Sequence, residues 1–116
     1  MKKVVPQVPA LNVKESLEFY GQKLGFGDQW QFNQHYGGVR TPFELNFCYY
    51  DNPDFPKNYV MRVEVEDIQS HYRHCQQHAI VHPKGLLEVK PWGVEEFAVL
   101  DPSGVLIVFY QALSDK

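Results

Sequence analysis

Two segments of the chain carry the same helical pattern of apolar residues, 55 positions apart. The first is NVKESLEFYGQKLG at 12–25, and the second is DIQSHYRHCQQHAI at 67–80. Apolar side chains recur in both at three- or four-residue spacing, as the buried face of an amphipathic helix requires. The positions are Val13, Leu17, Tyr20 and Leu24 in the first segment, and Ile68, Tyr72, Cys75 and Ala79 in the second. A repeat of this kind restricts the fold to two copies of one small unit that bury one another's open face.

The ends of both helices are also marked. Asn12 and Asp67 stand where a side chain caps a helix start, and Glu15 completes a capping box in the first helix. Gly25 follows the first apolar stripe and predicts its end.

Strand-forming segments surround each helix. One strand precedes each helix, at about 3–9 and 59–65, and three follow it, at about 29–33, 36–40 and 42–50 and at about 85–90, 94–100 and 105–111. DPSG at 101–104 has the residues of a type I turn and predicts a hairpin between the last two strands. The order predicts an α+β fold of two βαβββ modules. We expect a single domain over 1–116, with module one at about 1–50, a Pro-, Asp- and Asn-rich linker at 51–58, and module two at about 59–116.

The composition of the chain disfavours some classes of binding partner and some cellular locations. The chain has 116 residues, a formal charge of -3 and 44% apolar residues, which is typical of one globular domain and disfavours nucleic acid and anionic membrane as partners. No stretch approaches the roughly 18 apolar residues of a membrane-spanning helix, and the N-terminus lacks the apolar run of a signal peptide. The two cysteines, Cys48 and Cys75, have no metal-type spacing, so we expect a reducing, cytoplasmic location.

Alternation along the strands predicts one apolar and one polar face of the sheet. In FELNFCYY at 43–50, the residues opposite the apolar set include Glu44, Asn46 and Cys48, and in VMRVEV at 60–65 they include Arg62 and Glu64. Large aromatic residues fall at the rims of the polar face: Trp30, Tyr36, Trp92 and Tyr110. Aromatic rings around convergent polar groups are typical of a ligand pocket. Of Glu95 and Glu96, the pattern indicates that one lines this face, without telling which.

Each of these residues also has a plainer interpretation. The polar face could simply be solvated, its charges could neutralise one another, and the tryptophans could fill the core. Cys48 has no histidine placed beside it, so a nucleophilic role is disfavoured. His71, His74 and His78 flank the apolar stripe of the second helix. They could bind zinc, but surface histidines on a polar helix flank are commoner.

The chain resembles the vicinal oxygen chelate superfamily, which contains glyoxalase I, extradiol dioxygenases and bleomycin resistance proteins. The matching segments are SLEFYGQKLGF at 16–26 and PWGVEEFAVLDPSG at 91–104, and the resemblance covers essentially the whole chain. The second segment is most similar to the bleomycin-resistance branch. The resemblance implies a curved mixed sheet around a groove, with Trp30 and Tyr36 at positions of aromatics that line the drug groove.

The resemblance also bears on metals and partners. The four positions that hold metal ligands in the enzymes of the superfamily are matched here by Val5, Glu44, Val60 and Val108. Three of them are aliphatic and cannot donate to a metal, so we expect no metal and no cofactor. The bleomycin-resistance branch implies a homodimer whose first strand is exchanged between subunits. Pro6 and Pro9 would stiffen such an arm and discourage its return to its own subunit.

We therefore interpret the chain as a cytoplasmic, homodimeric, metal-independent protein that sequesters a small aromatic or cationic ligand, plausibly an antibiotic of the bleomycin type. The expected ligand-binding residues are Trp30, Tyr36, Glu44, Asn46, Cys48, Arg62, Glu64 and Trp92, and no catalytic residue is assigned. Arg62 weakens the inference of a cationic ligand and favours a smaller or anionic one. Two alternatives stay open: a glyoxalase-, lyase- or dioxygenase-like enzyme with a non-standard site, and a small-molecule sensor or accessory subunit.

Overall fold

The structure is a computed structural model that describes all residues, 1–116. Its contacts divide the chain into two compact units: the first unit is Met1–Tyr59 with Asp101–Val105, and the second unit is Val60–Leu100 with Leu106–Lys116. The first unit contains β1 (Gln7–Ala10), α1 (Val13–Gln22), β2 (Trp30–Asn33), β3 (Tyr36–Val39), β4 (Leu45–Tyr49) and α2 (Asp54–Lys57). The second contains β5 (Val60–Glu64), α3 (Ile68–Gln77), β6 (Glu88–Lys90), β7 (Val94–Leu100), β8 (Leu106–Ala112) and a final 3₁₀ turn (Leu113–Asp115).

The two sheets have the same topology. The strand order is β1-β4-β3-β2 in the first unit and β5-β8-β7-β6 in the second. In each sheet the first strand runs parallel to the last, and the other pairs are antiparallel. The prediction of an α+β fold built from two βαβββ units is confirmed. No helix in the structure is both long and apolar enough to cross a membrane.

Both long helices begin at the expected caps. The Asn12 side chain accepts a hydrogen bond from the Glu15 N–H at 2.9 Å, and Asp67 accepts one from the Ser70 N–H at 3.1 Å. α1 and α3 span ten residues each and begin 55 positions apart, as the repeat predicts. Gly25 follows α1 with φ 79°, the left-handed conformation that glycine adopts most easily.

The apolar stripe of α3 is shorter than predicted. Ile68 and Cys75 are fully buried, but Ala79 is exposed and lies beyond the helix with φ 56°. His71 takes part in the helix–sheet packing instead: its ring centroid lies 4.3 Å from that of Phe109 and 5.8 Å from that of Phe97. The interpretation of His71 as a surface histidine on the polar flank was therefore wrong.

Two further expectations about the backbone need correction. The linker at 51–58 is not irregular throughout, because Asp54–Lys57 form one helical turn in which the Asn58 amide caps the carbonyl of Asp54 at 2.8 Å. The first strand is also shorter than the predicted 3–9, since pairing begins at Gln7.

The prolines near the N-terminus do not keep β1 away from its own unit. β1 pairs in parallel with β4 of the same chain, and the N–H of Asn46 donates to the Pro6 carbonyl at 3.0 Å. A proline lacks a donor but keeps its acceptor, so this ladder can form around it. The expectation that Pro6 and Pro9 discourage the return of the strand was wrong for the single chain.

A buried polar pair anchors α1 to the turn before β8. The Tyr20 hydroxyl donates to Asp101 at 2.9 Å, and the other carboxylate oxygen of Asp101 accepts the backbone N–H groups of Ser103, Gly104 and Val105. Burial raises the pKa of Asp101, and these hydrogen bonds oppose part of that rise. The Asp-Pro-Ser-Gly turn was predicted as a hairpin turn, and here it also holds a helix.

Candidate functional site

The open face of the first sheet follows from its register. Trp30 pairs with Gly38, Gly38 with Asn46, and Tyr36 with Cys48, so these side chains share the face opposite the buried Leu45 and Phe47. The structure thus brings Trp30, Tyr36, Asn46 and Cys48 onto one surface, as predicted.

The Trp30 ring lies flat across this surface because Gly38 has no side chain. A Cβ built on Gly38 would lie 2.8 Å from Nε1 of Trp30, well inside van der Waals contact. The Tyr36 ring packs edge-on against Trp30 with centroids 5.2 Å apart, and the Arg40 guanidinium carbon lies 5.7 Å from the Trp30 ring centroid. Tyr36 and Arg40 therefore flank an aromatic platform, and Arg40 was missed by sequence reasoning.

The polar residues of the first face have partners within the unit. The Asn46 amide donates to the Tyr36 hydroxyl at 2.9 Å, and the Cys48 thiol lies 3.1 Å from the side-chain oxygen of Gln7. Glu44 forms an ion pair with Lys3. Partial burial raises the pKa of the Cys48 thiol, which keeps it protonated and supports a lining role over a nucleophilic one.

In the second sheet, Arg62 lies on the open face together with Tyr110 and Glu96. Its guanidinium carbon lies 4.4 Å from the Tyr110 ring centroid, and its Nη1 lies 3.3 Å from a Glu96 carboxylate oxygen. The register settles which of the two glutamates lines this face: Glu96 pairs with Tyr110, while Glu95 forms an ion pair with Lys116. A planar cation stacked on an aromatic ring and held by one carboxylate keeps donors free for a further acceptor.

Glu64 lies on the same open face, because it follows Arg62 by two residues on β5 and pairs with Tyr110. It lines a shallow depression of about 450 Å³ with Val65, Glu66, Gln111 and Asp115. The prediction that Glu64 and Arg62 share a face is therefore confirmed, although the ion-pair partner of Arg62 is Glu96.

Trp92 occupies the tip of the hairpin between β6 and β7. The Gly93 N–H donates to the Lys90 carbonyl at 3.1 Å and Gly93 has φ 87°, so the tight turn places Trp92 outside the sheet. The Trp92 side chain is 62% exposed, and the Lys90 ammonium lies 6.0 Å from its ring centroid. Within the chain, then, Trp92 does not fill the core, and its ring face is open to a ligand or a partner.

A cavity of about 230 Å³ lies beside the same hairpin. Its lining residues are Pro83, Lys84, Gly85, Leu86, Glu88, Lys90, Glu96, Phe97 and Ala98. Glu88 and Lys90 form an ion pair at its edge. Apart from Glu96, no sequence pattern predicts this cavity, because it depends on how the segment before β6 lies against β7.

The three histidines of α3 and the matched ligand positions lack the arrangement of a metal site. His74 and His78 have ring centroids 4.4 Å apart, but His71 faces Phe109, and no cluster of three or more His, Cys, Asp or Glu side chains in the chain has a metal-binding arrangement. Val60 pairs with Leu106, and Val108 pairs with Arg62. Neither of these neighbouring side chains is a metal ligand.

The chain is similar to proteins of one known superfamily. The family model of the glyoxalase/bleomycin resistance protein/dioxygenase superfamily matches residues 6–109. A bleomycin resistance protein of Geobacillus stearothermophilus is 27% identical over 131 residues, covering 97% of this chain and 98% of the relative.

Solved structures show the same fold. The bleomycin resistance determinant encoded on the transposon Tn5 matches with a TM-score of 0.78 at 22% identity, covering 97% of this chain and 98% of the other. The bleomycin-binding protein of Streptomyces verticillus, complexed with copper(II)-bleomycin, matches with a TM-score of 0.76 at 23% identity, covering 94% of both chains. With its family model matched from residue 6 to residue 109, this chain belongs to the glyoxalase/bleomycin resistance protein/dioxygenase superfamily.

Proposed function

We propose that the chain is a metal-independent binding protein that sequesters a small aromatic antibiotic of the bleomycin type. The observation that carries the proposal is the end-to-end correspondence with a curated protein named bleomycin resistance protein, which leaves 2% of that relative unmatched. The open sheet faces support it, because they present aromatic rings beside polar groups that could hold a ligand without chemistry.

The proposed ligand contacts are those that the sequence indicated. In the first unit they are Trp30, Tyr36, Glu44, Asn46 and Cys48, and in the second they are Arg62, Glu64 and Trp92. Trp92 supports stacking on a planar group, because its ring is exposed and carried by a tight turn. The Arg62 pair with Glu96 supports recognition of a polar substituent.

The proposal includes a homodimer in the cytoplasm, in which the first strand pairs within its own subunit or is exchanged between subunits. Several large apolar side chains are exposed in the single chain and would gain from being covered: Phe32, Phe55, Val60, Leu86 and Trp92. Light scattering after size-exclusion chromatography should give twice the chain mass of 13.5 kDa. A monomer at micromolar concentration would contradict this part of the proposal.

The test is a calorimetric titration of the protein with metal-free bleomycin in the presence of a chelator. We expect saturation at about one ligand per chain, and the drug should be recovered unchanged. Trp92→Ala should weaken binding by about 1–3 kcal/mol, the range for losing an interface anchor. Val89→Ala is a matched control, because Val89 is equally exposed on the same hairpin but pairs on the opposite face of the sheet. Absence of saturable binding, or equal losses from the two variants, would contradict the proposal.

A further inference from the structure

The cavity beside the β6–β7 hairpin is bounded by the segment 83–86 on one side and by β6 and β7 on the other. Its apolar lining comes from Pro83, Leu86, Phe97 and Ala98, and four charged side chains line it as well: Lys84, Glu88, Lys90 and Glu96. All of these residues belong to the second unit. An apolar floor with a charged rim is the composition of a small-ligand site.

The equivalent position in the first sheet is occupied by a tryptophan ring. Gly38 on β3 pairs with Asn46, whose parallel partner on β1 is Gln7. Ala98 on β7 occupies the corresponding place, because it pairs with Val108, whose parallel partner Arg62 lies 55 positions after Gln7. Trp30 lies across Gly38, whereas the segment residue that lies across Ala98 is Gly85, which accepts the Ala98 N–H at 2.9 Å. Trp30 pairs with Gly38, and Gly85 is hydrogen-bonded to Ala98, so the two residues take equivalent places beside the strand.

The exchange of tryptophan for glycine leaves room for a ring. A cavity of about 150 Å³ is large enough to bind benzene, so about 230 Å³ accommodates a single or fused aromatic ring. It is smaller than the roughly 300–1,000 Å³ of pockets that enclose drug-sized molecules. The occupant is therefore a small planar molecule or one ring of a larger one.

The charges of the rim indicate the sign of the ligand. Glu88 is paired with Lys90, and Glu96 is paired with Arg62, so these two acidic residues are already neutralised. Lys84 has no ion-pair partner in the chain. One unpaired ammonium group at the edge of an apolar, ring-sized cavity complements a carboxylate on an aromatic ring.

We propose that this cavity binds a planar aromatic carboxylate, with the ring over Ala98 beside Leu86 and the carboxylate towards Lys84. The proposal deepens the proposed function and rests on it, since it takes the chain to be a small-molecule binder. It assigns one subsite and the charge of the group that occupies it.

The first test uses three ligands that share one ring: indole-3-carboxylate, indole-3-carboxamide and indole-3-methylamine. Binding is measured by chemical-shift titration of the backbone amides. We expect the carboxylate to bind tightest and the amine weakest, with the largest shifts at Gly85, Leu86 and Ala98. Equal affinity for the carboxylate and the carboxamide would overturn the anionic class, and shifts confined to residues outside 83–98 would overturn the location.

Lys84→Gln tests the charge without threatening the fold, because Lys84 is exposed. It should reduce the affinity for the carboxylate by about two- to fivefold, the size of an exposed ion pair, and leave the affinity for the carboxamide unchanged. Lys14→Gln, which removes another exposed lysine from α1, is the matched control and should change neither affinity. Equal losses from both substitutions would show a general charge effect and contradict the proposal.

The double variant Gly85→Trp/Ala98→Gly tests the cavity by giving the second unit the residue pair of the first. Ala98→Gly is needed because a Cβ on Gly85 would lie 2.6 Å from the Cβ of Ala98. The variant should lose the indole ligand, while Ala98→Gly alone should keep it. Retained binding in a folded double variant would overturn the assignment.

The bleomycin titration of the preceding section separates the two proposals. Bleomycin binding without any binding of the indole carboxylate would overturn the subsite and leave sequestration standing. Binding of the carboxylate without bleomycin would support the subsite and remove bleomycin as the ligand. Failure of both would overturn both.

Discussion

The two units share one topology but use the open face of the sheet differently. In the first unit the Trp30 ring lies across Gly38 and covers that part of the face, with Tyr36 beside it. In the second unit Gly85 lies across Ala98 and leaves a cavity of about 230 Å³. The presence of Trp30 in one unit and Gly85 in the other therefore decides whether a ring or a cavity lies beside the strand. The strand order of the two sheets is the same.

The units also hold their helices differently. α1 is anchored by Tyr20, whose hydroxyl reaches the buried Asp101, whereas the corresponding position on α3 is Cys75, which has no such partner. The start of α3 is held by Gln111 instead, which accepts the Ile68 N–H at 3.1 Å and donates to the Glu66 carbonyl at 2.6 Å. The carboxylate of Asp101, which accepts several hydrogen bonds, thus holds the helix in the first unit, and the neutral amide of Gln111 holds the helix in the second.

The largest expected effect comes from removing the charged anchor. Asp101→Ala should lower the free energy of unfolding by about 3–5 kcal/mol, because it leaves the Tyr20 hydroxyl and three backbone N–H groups without their acceptor. Gln111→Ala, the matched change in the second unit, should cost only about 1–2 kcal/mol. Urea unfolding of both variants measures the difference, and a larger loss from Gln111→Ala would contradict the ranking.

The next effect concerns the contact between Gly38 and the Trp30 ring in the first unit. Gly38→Ala should destabilise the protein by about 1–3 kcal/mol, because the new Cβ would lie 2.6 Å from the Leu45 carbonyl oxygen and 2.8 Å from Trp30. Thermal unfolding and the Trp30 fluorescence should both change, since the ring must move. Ala98→Gly is the control in the second unit and should cost about 1 kcal/mol or less, the usual effect of glycine in a strand. Equal costs would mean that the ring does not depend on Gly38.

A smaller effect is expected at the Tyr36 hydroxyl. Tyr36→Phe removes the acceptor of the Asn46 amide and should cost about 0.5–1.5 kcal/mol, the net contribution of one neutral hydrogen bond. Tyr50→Phe is a suitable control, because no hydrogen bond to its exposed hydroxyl occurs in the structure. A double-mutant cycle with Asn46→Ala should recover the same coupling, and additive losses would show that the bond contributes nothing.

The last prediction is a dependence of stability on pH in the second unit. Burial lowers the pKa of His71 from its ordinary value of 6.5, and the neighbouring His74 lowers it further. The folded state therefore binds fewer protons than the unfolded state, so this contribution is fully present above pH 6.5 and is lost as pH falls through the folded-state value. The rings of Phe97 and Phe109 contact His71 from the sheet, and Glu95, on the same face of β7 as Phe97, forms an ion pair with Lys116.

His71→Leu should flatten the decline in melting temperature between pH 7.5 and 5.5. His35→Gln is the control in the first unit, where the imidazole stacks on Tyr49 at the surface. An unchanged slope in the His71 variant would show that another group causes the decline.

The sequence by itself determined the repeat, the helix caps and the strand faces. Helical spacing, capping residues and strand alternation depend on neighbours within a few positions, so Asn12, Asp67 and the alternation from Leu45 to Cys48 could be read directly. The same local rules predicted the turn at 101–104 and placed Trp30, Tyr36 and Asn46 on one face.

Tertiary structure decided what depends on distant partners. The Tyr20–Asp101 pair joins residues 81 positions apart, and no local pattern announces it. Strand register decides that His71 packs against Phe109 and that Arg62 pairs with Glu96 rather than Glu64. The cavity beside Gly85 depends on how the segment 83–86 lies against β7. Local pattern fixes the direction of a side chain, whereas its partner is fixed only when the strands have paired.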